Sequence, residues 1–426
     1  MLFHIAFKRA TLALGSAAFL LNLSGSCATE FDFSRPKGFG AATIGGMGGE
    51  VVNITDPIDG RKQLKNALCN SFNAEGVCSD ATPRIIRIAT TIDYTGTEKT
   101  SSERGCYPGK TKGECPTPYE PEALILVDAN DRHCSGKEVT GINYDVAGKN
   151  PLSVGSNKTL IGASSSAALK GKGLRLVNSR NVEIRNLTIS DINNGIVFGG
   201  DAISLEGVDR VWIDHNTFHN IGRQMIVGHF RPAINVTISW NNFDGTSAYS
   251  PECNGKHYWN ILLIAKKQTI TLSNNWFHDF SGRAPKVSGD EAIVHVVNNY
   301  FQNGSWHALD SSENAHLFVE ANYFDNVILP ILPDDGYVFG ALGSLSAVAQ
   351  RECKEKVGRP CLGNLAIPEP SINGFTQYSA VMEAFGALGK NISHSSKSEV
   401  SSCMITPYAA SKVPAIVKAY TGTGHL

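Results

Sequence analysis

Asp201, Arg223, Arg283 and Lys286 are the residues of this chain whose types and spacing could do chemistry together. They occupy three short motifs: Gly199-Gly200-Asp201-Ala202-Ile203, Ile221-Gly222-Arg223-Gln224 and Ser281-Gly282-Arg283-Ala284-Pro285-Lys286. Arg223 follows Asn216 by seven residues and Arg283 follows Asn275 by eight, and both asparagines belong to a repeating pattern. If the repeats stack, the two arginines share one side of the molecule. Asp201 lies about one repeat before Arg223 and can pair with it. Fixed cations around one carboxylate favour a developing negative charge. A solvated loop arginine is the ordinary alternative for each residue alone. Agreement in phase argues for a cluster, and the pattern by itself names no reaction.

The elements that must position these residues are strands. Two alternating apolar residues, an Asn and an aromatic recur as Val211, Ile213, Asn216, Phe218; Val236, Ile238, Asn241, Phe243; and Ile270, Leu272, Asn275, Phe277. The series continues with Val294, Val296, Asn299, Phe301 and Leu317, Val319, Asn322, Phe324, and an imperfect upstream copy reads Val182, Ile184, Asn186. The Asn-to-Asn intervals from Asn216 onward are 25, 34, 24 and 23 residues, within the range of stacked supersecondary units. Alternation marks a strand with one buried face. An Asn at constant phase is costly to bury alone, but stacked amides donate to the next and accept from the last. The Phe two residues later would form a parallel aromatic stack. These features predict an all-β fold, a right-handed parallel β-helix with long loops and a C-terminal tail carrying short helices. A β-sandwich is the alternative, and a propeller repeats at a longer period of about 40–45 residues. Strands about 4.8 Å apart would put the backbones of Arg223 and Arg283 roughly 10 Å from each other, a gap two long side chains can close.

The N-terminus reads as a secretory signal over residues 1–28: Lys8 and Arg9, an apolar run from Ala10 to Leu23, then small residues through Ala28. That run is short for a membrane span, so the protein is expected to be secreted and extracellular, with no membrane partner. A net charge of −1 advertises no nucleic-acid partner and suits an uncharged ligand. Ten cysteines without a CxxC pair favour disulfides over zinc in an exported chain. N-x-Ser/Thr sequons stand at Asn53, Asn157, Asn186, Asn235, Asn303 and Asn391 and suit a glycoprotein. Residues 29–426 read as one domain: early coils with long loops to about 150, regular coils over about 151–330, and a wrapped tail over 331–426. Helix-like stretches near Ser379–Leu388 and Ala409–Tyr420 would cover the solenoid's end or side.

The block from Gly199 to Arg223 (GGDAISLEGVDRVWIDHNTFHNIGR) resembles the pectin lyases of polysaccharide lyase family 1. So do Tyr249 to Trp259 (YSPECNGKHYW), Ser281 to Val287 (SGRAPKV) and the tail ending Gly422-Thr423-Gly424-His425-Leu426. The resemblance runs from about Gly38 to the C-terminus and is densest between 155 and 325. It implies β-elimination of methyl-esterified polygalacturonate (pectin), endo-acting, by a monomer. Arg283 would take the proton at carbon 5, the bond from carbon 4 to its glycosidic oxygen would break, and a 4,5-unsaturated sugar would remain. Arg223, Lys286 and Asp201 would set the field around the ester carbonyl, stabilising the transition state more than the ground state. Arginine is ordinarily a permanent cation, so a base role requires neighbours that disfavour its charge. The alternative is an electrostatic role with another group taking the proton.

Pectate lyases resemble this chain too, and they use carboxylates to hold Ca²⁺. Here Arg223 stands where those enzymes typically carry an acidic ligand. A fixed cation repels Ca²⁺ and replaces part of its charge, so no metal or other cofactor is expected. Asp214 in the WIDH segment reads as a structural hydrogen-bonding group. Tyr258 and Trp259 match an aromatic segment lining the family's groove, and Phe198 stands in place of a groove tryptophan. The resemblance also implies the disulfides Cys106–Cys134, Cys115–Cys253 and Cys353–Cys361. Cys69 and Cys78 lie close enough to pair locally, which leaves Cys27 and Cys403 unassigned. Competing readings are a calcium-dependent pectate lyase, a polygalacturonase and a non-catalytic wall-binding β-helix. Hydrolysis needs paired carboxylates, and the repeat region holds no adjacent Asp-Asp pair.

Overall fold

The structure, a computed structural model, describes residues 32–128, 131–391 and 404–426. The signal segment 1–28, Cys27 and Cys403 lie outside the described residues. Apart from one small antiparallel sheet, the chain winds as a parallel β-helix whose coils contribute strands to three stacked faces.

The first face is a ten-stranded parallel sheet running from Glu50–Ile54 to Tyr337–Phe339. Its register aligns Val182, Val211, Val236, Ile270, Val294 and Leu317 in one column, and Ile184, Ile213, Ile238, Leu272, Val296 and Val319 in the next. The apolar positions of the repeat therefore point into one continuous core, where all twelve are buried. A corner follows at which Asn186, His215, Trp240, Asn274, Asn298 and Ala321 all take positive φ, between 52° and 58°. Three of the six are asparagine, which tolerates the left-handed conformation, and His215, Trp240 and Ala321 adopt it at the same position.

Next comes the asparagine ladder. Nδ2 of Asn216, Asn241, Asn275, Asn299 and Asn322 donates to Oδ1 of the following rung at 2.9–3.0 Å. Asn364 is the last rung, beyond the point where the sequence repeat lapses. Asn186 does not belong to the ladder. It sits one residue early, in the corner column, and Leu187 N–H occupies the rung and donates to Asn216 Oδ1. The upstream copy read from the sequence was thus out of phase by one. Phe218, Phe243, Phe277, Phe301 and Phe324 stack behind the ladder with centroids 4.4–5.1 Å apart.

The other two faces merge through one long strand, Tyr300–Ser312, which pairs with Trp276–His278 at one end and Lys286–Ser288 at the other. The helix Asp59–Leu68 plugs the N-terminal end, burying Leu64, Ala67 and Leu68. It touches the first strand of each face: Glu50–Ile54, Thr91–Asp93 and Leu152–Val154. Near the C-terminal end, helices Ala347–Lys356 and Ser379–Asn391 pack on Phe318 and Phe339, on the outer side of the first sheet. The helix Val413–Tyr420 covers Tyr300, and the last residues run back along the corner, where Gly422, Thr423 and Gly424 donate to Trp240 O, Thr217 Oγ1 and Asn186 Oδ1. Disulfides join Cys69–Cys78, Cys106–Cys134, Cys115–Cys253 and Cys353–Cys361.

Candidate active site

The third face carries the candidate residues at the mouths of its strands. Asp201 precedes strand Ile203–Glu206, Arg223 precedes Ile226–Gly228, Tyr258 and Trp259 precede Ile261–Leu263, and Arg283 precedes Lys286–Ser288. These strands are consecutive neighbours, so Arg223 and Arg283 are separated by two strand spacings. The loops are stitched to one another by backbone bonds, from Ala202 N–H to Gln224 O, Met225 N–H to Asn260 O and Ile261 N–H to Arg283 O, at 2.7–2.9 Å. Successive loops therefore cannot slide independently.

Local sequence explains how tightly the loops pack. Gly282 lies so close to Tyr258 that a Cβ would come within 2.4 Å of its ring. Arg283 then takes a left-handed φ of 47°, held where its N–H donates to His307 Nε2 at 3.3 Å. His307 is buried and neutral, its pKa pushed down to about 4 by burial and by the charges of Arg283 and Lys286. The imidazole of His257 joins two loops, donating from Nε2 to Arg223 O at 2.9 Å and to Trp259 O at 3.1 Å. Burial lowers its pKa to about 4 as well.

Arg223 lies 3.7 Å from the Asp201 carboxylate, with both side chains less than a fifth exposed, and over the Phe198 ring at 4.6 Å. The other Asp201 oxygen accepts from Gln224 N–H at 2.9 Å. Burial raises the Asp201 pKa against the opposing charge of Arg223. Burial also lowers that of Arg223, with the charge of Arg283 acting in the same sense. Arg283 rests over Trp259 at 4.7 Å and Tyr258 at 5.3 Å, and its Nε is buried with no hydrogen-bond partner among the described residues. Lys286 bonds Asp310 at 2.8 Å, and burial raises the Asp310 carboxyl. The seven candidate residues thus converge on one surface, two guanidinium groups, an ammonium, a carboxylate and three aromatic rings, and Asp310 adds a second carboxylate.

Sequence reasoning missed Asp310, His307, His229 and Trp306. Asp310 follows Lys286 by 24 residues, one coil, which is the signal that would have found it. His229 lies close enough for Asp201 and Arg223 to act on it. Trp306 is 42 % exposed and lies 6.1 Å from Tyr258, roughly parallel to it. Asp214 stands elsewhere, buried in the first sheet, accepting from Arg185, Ser239 and His215.

The family profile described as "Pectate lyase" matches residues 120–415. The chain belongs to that family. Within the pectate lyase family it is 36 % identical over 397 residues to "Probable pectin lyase E" of Aspergillus fumigatus, covering 92 % of this chain and 95 % of that protein. It is 42 % identical over 328 residues to "Probable pectin lyase F-1" of Aspergillus terreus, covering 76 % and 79 %. A pectate lyase from Bacillus sp. N165, solved in complex with trigalacturonate, superposes with a TM-score of 0.54 at 20 % identity over 92 % of this chain and 99 % of its own. A pectate lyase from Acidovorax avenae subsp. citrulli gives 0.53 at 17 %, covering 97 % and 99 %. At these identities the two structures speak to the fold, and this member of the family has the same parallel β-helix.

Proposed function

We propose that this protein is a pectin lyase, cleaving methyl-esterified polygalacturonate by β-elimination without calcium. The observation that carries this reading is the Arg223 guanidinium, 3.7 Å from Asp201 and beneath the same surface as Arg283 and Lys286. Calcium takes six to eight oxygen ligands. Asp201 offers a poor start, since one oxygen is bonded to Gln224 N–H and the other faces a cation. The donor set does not fit the metal. It fits a neutral ester whose carbonyl gathers negative charge as carbon 5 loses its proton, because fixed cations favour that charge in the transition state.

Arg283 takes the carbon 5 proton, as the family resemblance implies; the acceptor is the deprotonated guanidine, which the transfer returns to the guanidinium and solvent then deprotonates again. The C5–H pair then forms the C4–C5 double bond as the C4–O4 bond breaks, and the departing oxygen acquires a proton from solvent. Arg223 and Lys286 face the ester carbonyl, with Asp201 and Asp310 holding them in place. Tyr258, Trp306 and Phe198 offer flat rings to sugar faces, which suits an uncharged polymer. The enzyme acts as a secreted monomer in which residues 29–426 form one domain.

The test uses purified protein with highly methylated pectin and with polygalacturonate, each with and without chelator, following absorbance of the new double bond. Activity on methylated pectin that survives chelator is the expected result. Activity confined to polygalacturonate and abolished by chelator makes the protein a pectate lyase, and silence on both makes it a binder.

A further inference from the structure

Trp259 carries Arg283 on its ring, and its indole N–H donates to Glu122 Oε2 at 3.0 Å. Glu122 is 4 % exposed. It lies between the short strands Glu120–Pro121 and Ala123–Ile125, in the segment leading into the antiparallel sheet. The same side of the fold gives Cys106, Leu124, Cys134 and Val197 as the packing around Trp259 and Phe198. A buried indole N–H needs an acceptor, and a backbone carbonyl would serve without the cost of burying an acid. An ionisable side chain is used instead, and it reaches the reacting arginine through one ring.

We propose that Glu122 is a positioning residue for Arg283, acting through the indole of Trp259. The hydrogen bond fixes the ring plane, and the ring face fixes the guanidinium. An acceptor on the indole N–H also pushes electron density into the ring and so sets how firmly the face holds a cation. A protonated carboxyl does this weakly and a carboxylate strongly. Burial pushes the Glu122 pKa up to about 8, with only the indole bond opposing it. Arg283 and Tyr258 face the indole, and the neutral His257 bonds the Trp259 backbone carbonyl. The inference rests on the proposed lyase reading for its kinetic consequence, though not for its spectroscopic one.

Glu122→Gln keeps an acceptor for the indole and removes the ionisation; Glu122→Leu removes both. The emission of Trp259, taken as wild type minus Trp259→Phe, is expected to titrate near pH 8 in the wild type and to stay flat in Glu122→Gln. The kcat profile should lose an ionisation in the same pH range in Glu122→Gln. Glu122→Leu should lower kcat about 10-fold with KM little changed, because the guanidinium loses its seat, and the glutamine variant should recover most of that loss. Thermal unfolding identifies any variant that fails to fold. Emission and kcat profiles of Glu122→Gln that superimpose on the wild type overturn the proposal. If the wild type releases no unsaturated product, the lyase reading fails, and the emission titration still decides the link between Glu122 and Trp259.

Discussion

Replacing Asn275 by alanine tests the ladder that holds the site's coils in register. Its Oδ1 accepts from Asn241 N–H and from Asn241 Nδ2, both at 3.0 Å, and its Nδ2 donates to Ile238 O and Asn299 Oδ1 at 2.9 Å. All four bonds vanish in Asn275→Ala, and each contributes about 1 kcal/mol net. Asn241 Nδ2 keeps Ile213 O and Ser239 O, and Asn299 Oδ1 keeps Asn275 N–H. The buried Asn241 N–H loses the acceptor it had. The expected destabilisation is therefore about 4 kcal/mol, a large part of the roughly 5–15 kcal/mol of a typical domain. The reference is Asn66→Ala, at an exposed asparagine of the helix Asp59–Leu68, where a change within about 0.5 kcal/mol is expected. Urea unfolding of the three proteins side by side, followed by far-UV circular dichroism, measures the difference. Equal midpoints for the two variants would refute the account of the ladder as a cooperative support.

Arg283→Lys keeps the charge and loses the fork and ring contacts, so kcat on methylated pectin should fall by about 100-fold or more with KM within a few-fold; steady-state kinetics checks this. Arg223→Ala removes the cation beside Asp201 and should lower kcat by roughly 10²–10³-fold, with Arg223→Lys intermediate and chelator without effect on any of the three. His257 has a folded pKa of about 4, below the unfolded value of about 6.5. The unfolded chain binds more protons between these values, so this contribution is present above the unfolded pKa and is lost as pH falls towards 4. It amounts to about 3 kcal/mol, and His257→Gln should flatten that part of the urea-midpoint profile between pH 7 and 4.

The repeat was legible because stacking converts a spatial column into a sequence period, and apolar alternation, amide and ring each obey it. Where the period broke, so did the reading. Asn364 comes 42 residues after Asn322, and the intervening helix Ala347–Lys356 hides the rung. Asn186 mimicked a ladder residue because the corner column also accepts asparagine in a left-handed conformation. Arg223 and Arg283 were legible together from their offsets to the ladder, Asp201 from its place one repeat before Arg223, and Lys286 from the family resemblance. Their supports were less so. Asp310 shares the Lys286 column one coil on, a relation no motif displays. Glu122 reaches the site from outside the repeat, through a loop whose path is set by disulfides and packing instead of by period.

The coil from Asn241 to Asn275 spans 34 residues where its neighbours need 23 to 25, and the surplus is the detour that delivers Tyr258 and Trp259 and is clipped to Cys115 through Cys253. The amide spine passes beneath that detour without interruption. Scaffold and tool are therefore separable: the length and residues of one excursion can be exchanged while every rung below stays in place. A protein built this way can change what it grips without relearning how to fold.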